Sequence, residues 1–287
     1  WQVGFDTLSF SSVSSAYSKF YQSDTLQKTR YYRTIVTSLH GCSKDTSNNV
    51  KINVYADFDE GNIIGNDTIC FDTRPDSLKV FTSPSGGGST YSYQWLGSNN
   101  QVNWTSESGQ TATTYKPSKL QVDRYYRLKV TSTKGCGIDT TNYVKVKVWP
   151  DIVKADIVNH QVICYDTKAD TIKITQVATG ADNNFTYHWQ ESSNGNNWNN
   201  LSGSTSLYHS PGTLPNTRYY RVVSASTFGC GSIASESVRV YVHPKINAGT
   251  IGSFHNLCFG TESDTIKFLV NASGGGDSFS YQWQVGF

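Results

Sequence analysis

The chain has 287 residues, with 24 basic and 22 acidic side chains and a net charge of +2. A nearly balanced charge without a basic block gives nucleic acid no footing, and no run approaches the roughly 18 consecutive apolar residues of a membrane helix. The length suggests two or three domains of roughly 100 to 200 residues. The first residues carry no signal-peptide pattern, so either a targeting segment has been removed or the sequence is an excerpt.

The chain opens on WQVGF, Trp1 to Phe5, and closes on the same pentapeptide, Trp283 to Phe287. Trp95 and Trp189 complete a ladder of tryptophans, each 94 residues from the next. The same step relates Tyr32, Tyr126 and Tyr220 in YYR, and Cys42, Cys136 and Cys230 after glycine. It also relates Cys70, Cys164 and Cys258, and the DSLKV, DTIKI and DTIKF segments that begin at Asp76, Asp170 and Asp264. Spacing without insertion marks a repeat array, which decides the fold before any single element does.

A unit running from Phe58 to Asp151 reads as strands and turns in chain order. An edge strand is expected around Thr68 to Asp72. The next strand, Leu78 to Ser83, turns Leu78 and Val80 inward and Lys79 outward. The Gly86 to Gly88 turn leads into a strand whose Tyr91, Tyr93 and Trp95 share one face. Trp104 falls on the following short strand. A later strand carries Tyr126, Leu128 and Val130 inward, with Tyr125, Arg127 and Lys129 outward. The last strand, VKVKV, buries Val144, Val146 and Val148, and its lysines discourage edge pairing. About 100 residues with seven or more short strands is the size of a β-sandwich, so the expected fold is all-β. With Trp95 on its third strand and the tyrosines of YYR at the start of a later one, the unit resembles an immunoglobulin-like domain, a resemblance that implies tandem immunoglobulin-like sandwich repeats of 94 residues in an extended filament.

On this ruler residues 1–58 are the C-terminal half of a repeat, 59–152 and 153–246 are complete repeats, and 247–287 are the N-terminal half of another. The positions after the middle tryptophans read WLGSN and WQESS. WQVGF therefore returns only after three repeats, as expected for one 282-residue period plus a short overlap cut from a longer array.

The ordered pattern IC, DSLKV, GGG, YQW, YYR, GCG and VKVKV resembles the immunoglobulin-like repeats of giant Bacteroidota surface proteins exported by type IX secretion, of which the SprB-type gliding adhesins are the best known. The resemblance spans the whole chain. It departs from antibody domains in lacking cysteines on the strands that usually carry the inter-sheet disulfide. The resemblance implies a thin cell-surface filament, extracellular and attached to the outer membrane. Its partners would be neighbouring repeats, the outer-membrane gliding or secretion machinery, and external surfaces or polysaccharide. No enzymatic activity, cofactor or metal is expected.

Six cysteines without a metal-type Cys-x-x-Cys or Cys/His spacing suit an oxidising compartment. The expected pairs are Cys70 with Cys136 and Cys164 with Cys230, each closing a loop that stabilises by about 4 kcal/mol in the chain-entropy model. Cys42 with Cys70, and so on along the chain, is the alternative that staples neighbouring domains; buried free thiols are a third. Asp followed by Ser or Thr and then an aliphatic residue or Thr places hydroxyls at Thr7, Thr25, Thr68, Ser77, Thr140, Thr171 and Thr265. This resembles the O-glycosylation signal of exported Bacteroidota proteins, although Asp-Thr also starts strands through a local turn.

Other candidate chemistry is sparse. The six histidines read as loop or surface residues: His40 aligns with Lys134 and Phe228, and His188 with Gln94 and Gln282. SGGG at Ser85 to Gly88 lacks the ending of a phosphate loop and reads as a turn that needs positive φ. DFDEGN, Asp57 to Asn62, lies at a junction where calcium would find oxygen ligands, yet Lys154 and Lys245 near the matching stretches favour a solvated linker. Trp104 and Trp198 offer flat faces for sugar stacking, but Phe10 at the matching position favours packing.

Overall fold

The computed structural model describes residues 1–252 and 256–286, and every regular element among them is a β-strand. The chain divides into two compact units, Trp1–Val148 and Trp149–Phe287.

The first unit begins with β1 (Gln2–Gly4), β2 (Ser11–Ser12), β3 (Arg30–Arg33), the β4 (Ile35–Thr37) and β5 (Lys44–Thr46) hairpin, and β6 (Val50–Ile52). Of these, β2, β1, β3 and β6 form one antiparallel sheet in that order. Next come β7 (Asn62–Ile64), β8 (Asp67–Cys70), β9 (Leu78–Thr82), β10 (Tyr91–Ser98), β11 (Thr105–Ser106), β12 (Thr114–Tyr115), β13 (Arg124–Ser132), β14 (Ile138–Thr140) and β15 (Val144–Trp149). They make an immunoglobulin-like sandwich: one sheet runs β11-β10-β13-β15-β8 with β14 on β13, and the other runs β12-β9-β7.

Alternation explains why these stretches become strands. In β15 the three valines are buried and the lysines between them are half-exposed. In β13, Tyr126, Leu128 and Val130 point into the same core. Trp95 stands opposite Leu128, and Tyr93 opposite Val130; a slip of one residue would turn the whole apolar set into water, which fixes the register. Burying each such side chain is worth roughly 1.5–3 kcal/mol.

The second unit repeats the plan. It contains β16 (Asp156–Val158), β17 (Gln161–Ile163), β18 (Thr167–Lys168), β19 (Ile172–Gln176), β20 (Phe185–Ser192), β21 (Asn199–Asn200), β22 (Tyr208–His209), β23 (Thr213–Leu214), β24 (Arg218–Ser226), β25 (Ser232–Ala234) and β26 (Val238–Val242). The larger sheet runs β17-β26-β24-β20-β21, with β17 parallel to β26, and a separate core gathers around Ile172, Trp189, Val222 and Val240. Beyond it β27 (Thr250–Ile251) pairs with β28 (Phe268–Val270).

Details depart from the sequence expectation at the edges. The edge strand β8 stops at Cys70, because the chain turns at Asp72, whose φ is 54° and whose N–H donates to the Leu120 carbonyl. Trp104 lies just before β11 rather than within it, and β7 and β12 are further short strands.

Candidate functional site

Each tryptophan of the ladder through Trp189 builds the same local structure. The indole Nε1 donates to a carbonyl 17 residues later: Trp1 to Ser18, Trp95 to Ala112 and Trp189 to Ser206, each at 2.9 Å. An aromatic ring then stacks between this indole and the tyrosine of YYR. Tyr21 lies 5.9 Å from Trp1 and 5.7 Å from Tyr32, and Tyr115 lies 5.8 Å from Trp95 and 5.7 Å from Tyr126. In the next repeat His209 takes this place, 5.7 Å from Trp189 and 5.1 Å from Tyr220. Burial pushes the Tyr126 and Tyr220 phenols up to about 12. It raises Tyr115 further still, helped by Glu107, whose carboxylate accepts from the Tyr115 hydroxyl at 3.1 Å and from Arg124 at 2.7 Å. These tyrosines stay neutral at any pH the fold meets, as packing groups do.

His209 corrects the surface reading of the histidines. It sits half-buried in this stack, its Nδ1 3.1 Å from the Ser204 hydroxyl, and burial holds its pKa below the ordinary histidine value. The folded state thus binds fewer protons than the unfolded one. Its stability is complete above the unfolded value of about 6.5 and falls as acid is added below it. Acidification from pH 7.5 to 5.5 is therefore expected to weaken hydrogen-exchange protection in β20 and β24 more than in β10 and β13, where Tyr115 holds the place. His209→Tyr is expected to erase the difference. His160 is also employed, its Nδ1 accepting the Arg239 N–H at 3.0 Å where Asn66 accepts from Lys145 at 2.7 Å.

The outward face of the larger sheet carries a second repeated arrangement. Arg33 lies over Phe10 at 3.9 Å, Arg127 over Trp104 at 4.2 Å and Arg221 over Trp198 at 4.3 Å. Guanidinium groups cover the flat faces that a sugar would use, a packing worth about 0.5–1 kcal/mol where exposed. Gln2 and Gln190 each accept from the arginine Nε, at 2.7 Å in both cases. Leu96 stands at the matching position of the middle copy, and Arg127 Nε is buried with no hydrogen-bond partner among the described residues. Leu96→Gln supplies that partner, and equilibrium urea unfolding is expected to show a gain of about 1 kcal/mol.

Successive repeats meet through one recurring joint. The Gly87 N–H donates to the Ala56 carbonyl at 2.9 Å, Ala181 to Pro150 at 2.8 Å and Gly275 to Pro244 at 2.9 Å. Paired bridges accompany them at Asp59 with Ser85, Val153 with Thr179, and Asn247 with Ser273. The turn needs left-handed backbone, with φ of 69°, 52° and 93° at Gly86, Gly87 and Gly88. A Cβ on Gly86 would fall 1.6 Å from the Asp57 carbonyl oxygen, so the joint itself demands glycine there. SGGG is thus a turn wrapped around the end of the preceding repeat. In DFDEGN, an Asp59 carboxylate oxygen accepts the Gly61 N–H at 2.7 Å and shapes the same joint. Among the described residues, no group of three or more His, Cys, Asp or Glu side chains converges as metal ligands.

The cysteine pairs expected from sequence are not formed. Cys136 and Cys164 are exposed free thiols, as are Cys42 and Cys258, whereas Cys70 and Cys230 are disulfide-bonded. Topology supplies the reason. Cys70 ends β8, beside β15, while Cys136 lies beyond Ser132 in the β13–β14 hairpin, and Arg124 at the other end of β13 pairs with Val146 of β15. At about 3.4 Å per residue the length of β13 separates the two by about 25 Å, far outside the Cα separation of roughly 7 Å that a disulfide spans. Cys42 with Cys70 is likewise not formed, since Cys42 is free. Of the candidate glycosylation hydroxyls, Thr7, Thr25, Thr68, Ser77 and Thr265 are exposed, and Thr140 and Thr171 are half-exposed. Asp67 and Asp139 also accept the N–H of the threonine that follows, each at 2.7 Å, which is the local turn role.

A family model described as Domain of unknown function (DUF8696) matches residues 1–56, 59–150 and 153–244. The chain belongs to this family. The three matched stretches of the DUF8696 model follow the 94-residue ruler that the tryptophans mark. No curated protein matches the chain. Among solved structures, a three-domain segment of titin is 14% identical with a TM-score of 0.35, over 75% of this chain and 74% of that one. The three N-terminal domains of the bacteriophage RB49 Highly Immunogenic Outer Capsid protein are 13% identical with a TM-score of 0.30, over 72% and 67%. Extracellular domains 3–5 of Drosophila OTK are 13% identical with a TM-score of 0.34, over 75% and 70%.

The tyrosine and histidine stack, the glutamine partners of the arginines and the joint carbonyls all escaped the sequence reading. Their signal was present: carrying the 94-residue step through Tyr21, Tyr115 and His209 marks the stacking position.

Proposed function

We propose that these repeats are a structural segment of a long extracellular surface filament of the SprB-type gliding adhesin kind, exported by type IX secretion. In this reading residues 59–152 and 153–246 are whole repeats, and 1–58 and 247–287 are parts of the repeats on either side. The chain couples the outer membrane, with its gliding or secretion machinery, to an external surface or polysaccharide. The hydroxyls at Thr7, Thr25, Thr68, Ser77 and Thr265 are the best placed of the candidate sites to carry O-linked glycan.

The observation that carries the reading is the joint itself. The same backbone hydrogen bond recurs at Ala56, Pro150 and Pro244, and a joint repeated at fixed spacing makes a spacer that reaches far with little mass. The test is the intact mass, under reducing and denaturing conditions, of the native protein that contains these residues. A chain of hundreds of kilodaltons is expected. A species near 32 kDa would replace this reading with that of a self-assembling fibre of short subunits.

A further inference from the structure

We propose that the second unit carries a binding groove for the carboxylate-bearing ring of an acidic sugar, lined by His160, Gln161, Val162, Tyr219 and Arg239. The groove holds about 500 Å³, within the roughly 300–1,000 Å³ of ligand clefts.

The counterpart 94 residues earlier shows what has changed. There Tyr125 and Lys145 stand opposite each other on β13 and β15, as Tyr219 and Arg239 do on β24 and β26. In the earlier repeat both side chains have partners. The Tyr143 ring meets Tyr125 edge-on at 5.8 Å. Asp123 divides its carboxylate, one oxygen accepting the Val148 N–H at 2.8 Å and the other pairing with the Lys145 ammonium at 2.7 Å. The later repeat replaces both partners. Ser237 stands in the place of Tyr143, and among the described residues no aromatic ring packs on Tyr219. Thr217 stands in the place of Asp123. Its hydroxyl keeps the backbone bond, accepting the Val242 N–H at 3.0 Å, but it has no second oxygen and no charge to offer Arg239. The ion pairs among the described residues leave the Arg239 guanidinium without a carboxylate.

Three features then point to one ligand. A tyrosine ring without an aromatic neighbour offers a flat apolar face on which the C–H side of a sugar ring can lie. A guanidinium takes a carboxylate through two parallel hydrogen bonds. His160 accepts the Arg239 backbone N–H on Nδ1 at 3.0 Å, which fixes the proton of the neutral ring on Nε2 and makes that nitrogen a donor for a hydroxyl or carboxylate. Gln161 is engaged with the Asp170 N–H at 2.7 Å and carbonyl at 3.0 Å, so it forms a fixed wall. No carboxylate lines the groove, so nothing in it repels an anion. His160, Val162 and Arg239 are exposed, and a bound ring keeps one side in water. That suits a hydroxyl-rich residue of an acidic polysaccharide; a wholly apolar ring would need enclosure.

The groove gives a chemical class to the external polysaccharide of the filament reading, and its biological role rests on that reading. Binding by the purified chain and the intact mass of the native protein are separate measurements, so either can fail alone.

The test titrates the 287-residue chain with trigalacturonate and follows the tyrosine ring signals by NMR. Saturable shifts at Tyr219 are expected, and fully methyl-esterified trigalacturonate, which keeps the rings and loses the charge, should produce none. Arg239→Gln should weaken binding about tenfold, as expected for loss of a hydrogen-bonded ion pair. Ser237→Tyr and Thr217→Asp should each do the same, one by filling the groove and the other by giving Arg239 a carboxylate. Both install the residue that the earlier repeat carries at that place, so the fold accepts them. The absence of saturable shifts, equal binding of the methyl ester, or unchanged affinity in these variants overturns the proposal. So does equal binding of a hexaglutamate peptide, which would make the groove a site for acidic protein segments.

Discussion

Trp95→Ala is expected to unfold the sandwich of β7 to β15 while the sandwich of β16 to β26 stays folded. Trp95 is completely buried, and its indole N–H satisfies the Ala112 carbonyl. Truncating a tryptophan in a core costs about 3–5 kcal/mol, and the carbonyl left without its donor adds about 1 kcal/mol. Domains of this size hold roughly 5–15 kcal/mol in all, so most of the stability of one repeat goes. The other repeat has its own core around Trp189 and none of its packing is touched. Native-state hydrogen exchange read by mass spectrometry separates the two. Protection should vanish across β10 and β13 and persist across β20 and β24, and Trp189→Ala should give the mirror result. Equal loss in both would mean that the repeats fold as one cooperative body.

Much of the fold was legible because repetition magnifies pattern. The 94-residue step marks Trp95, Tyr126, Val144 and Val146 as core residues, and the lysines of VKVKV mark the outward face of β15. The cysteines misled because residue spacing reports neither which sheet an edge strand joins nor its direction. β8 leaves the sheet of β9 and runs along β15, carrying Cys70 to the end opposite Cys136. Phe10 at the matching position already favoured packing for Trp104 and Trp198, but the arginine that covers each indole, carried on the next long strand, is not apparent in sequence. His209 was hidden for a related reason. A histidine among serines and tyrosines reads as surface until the ruler shows it standing in for Tyr115.

The central claim is that these repeats are the shaft of an extracellular filament. Immunogold electron microscopy of intact, unpermeabilised producer cells, with antibody raised against residues 59–246, tests it most directly. Gold is expected along thin fibres at distances from the cell surface many times the length of one domain, and it should be removed by external protease. Gold confined to the cell interior, and appearing only after permeabilisation, would contradict the account.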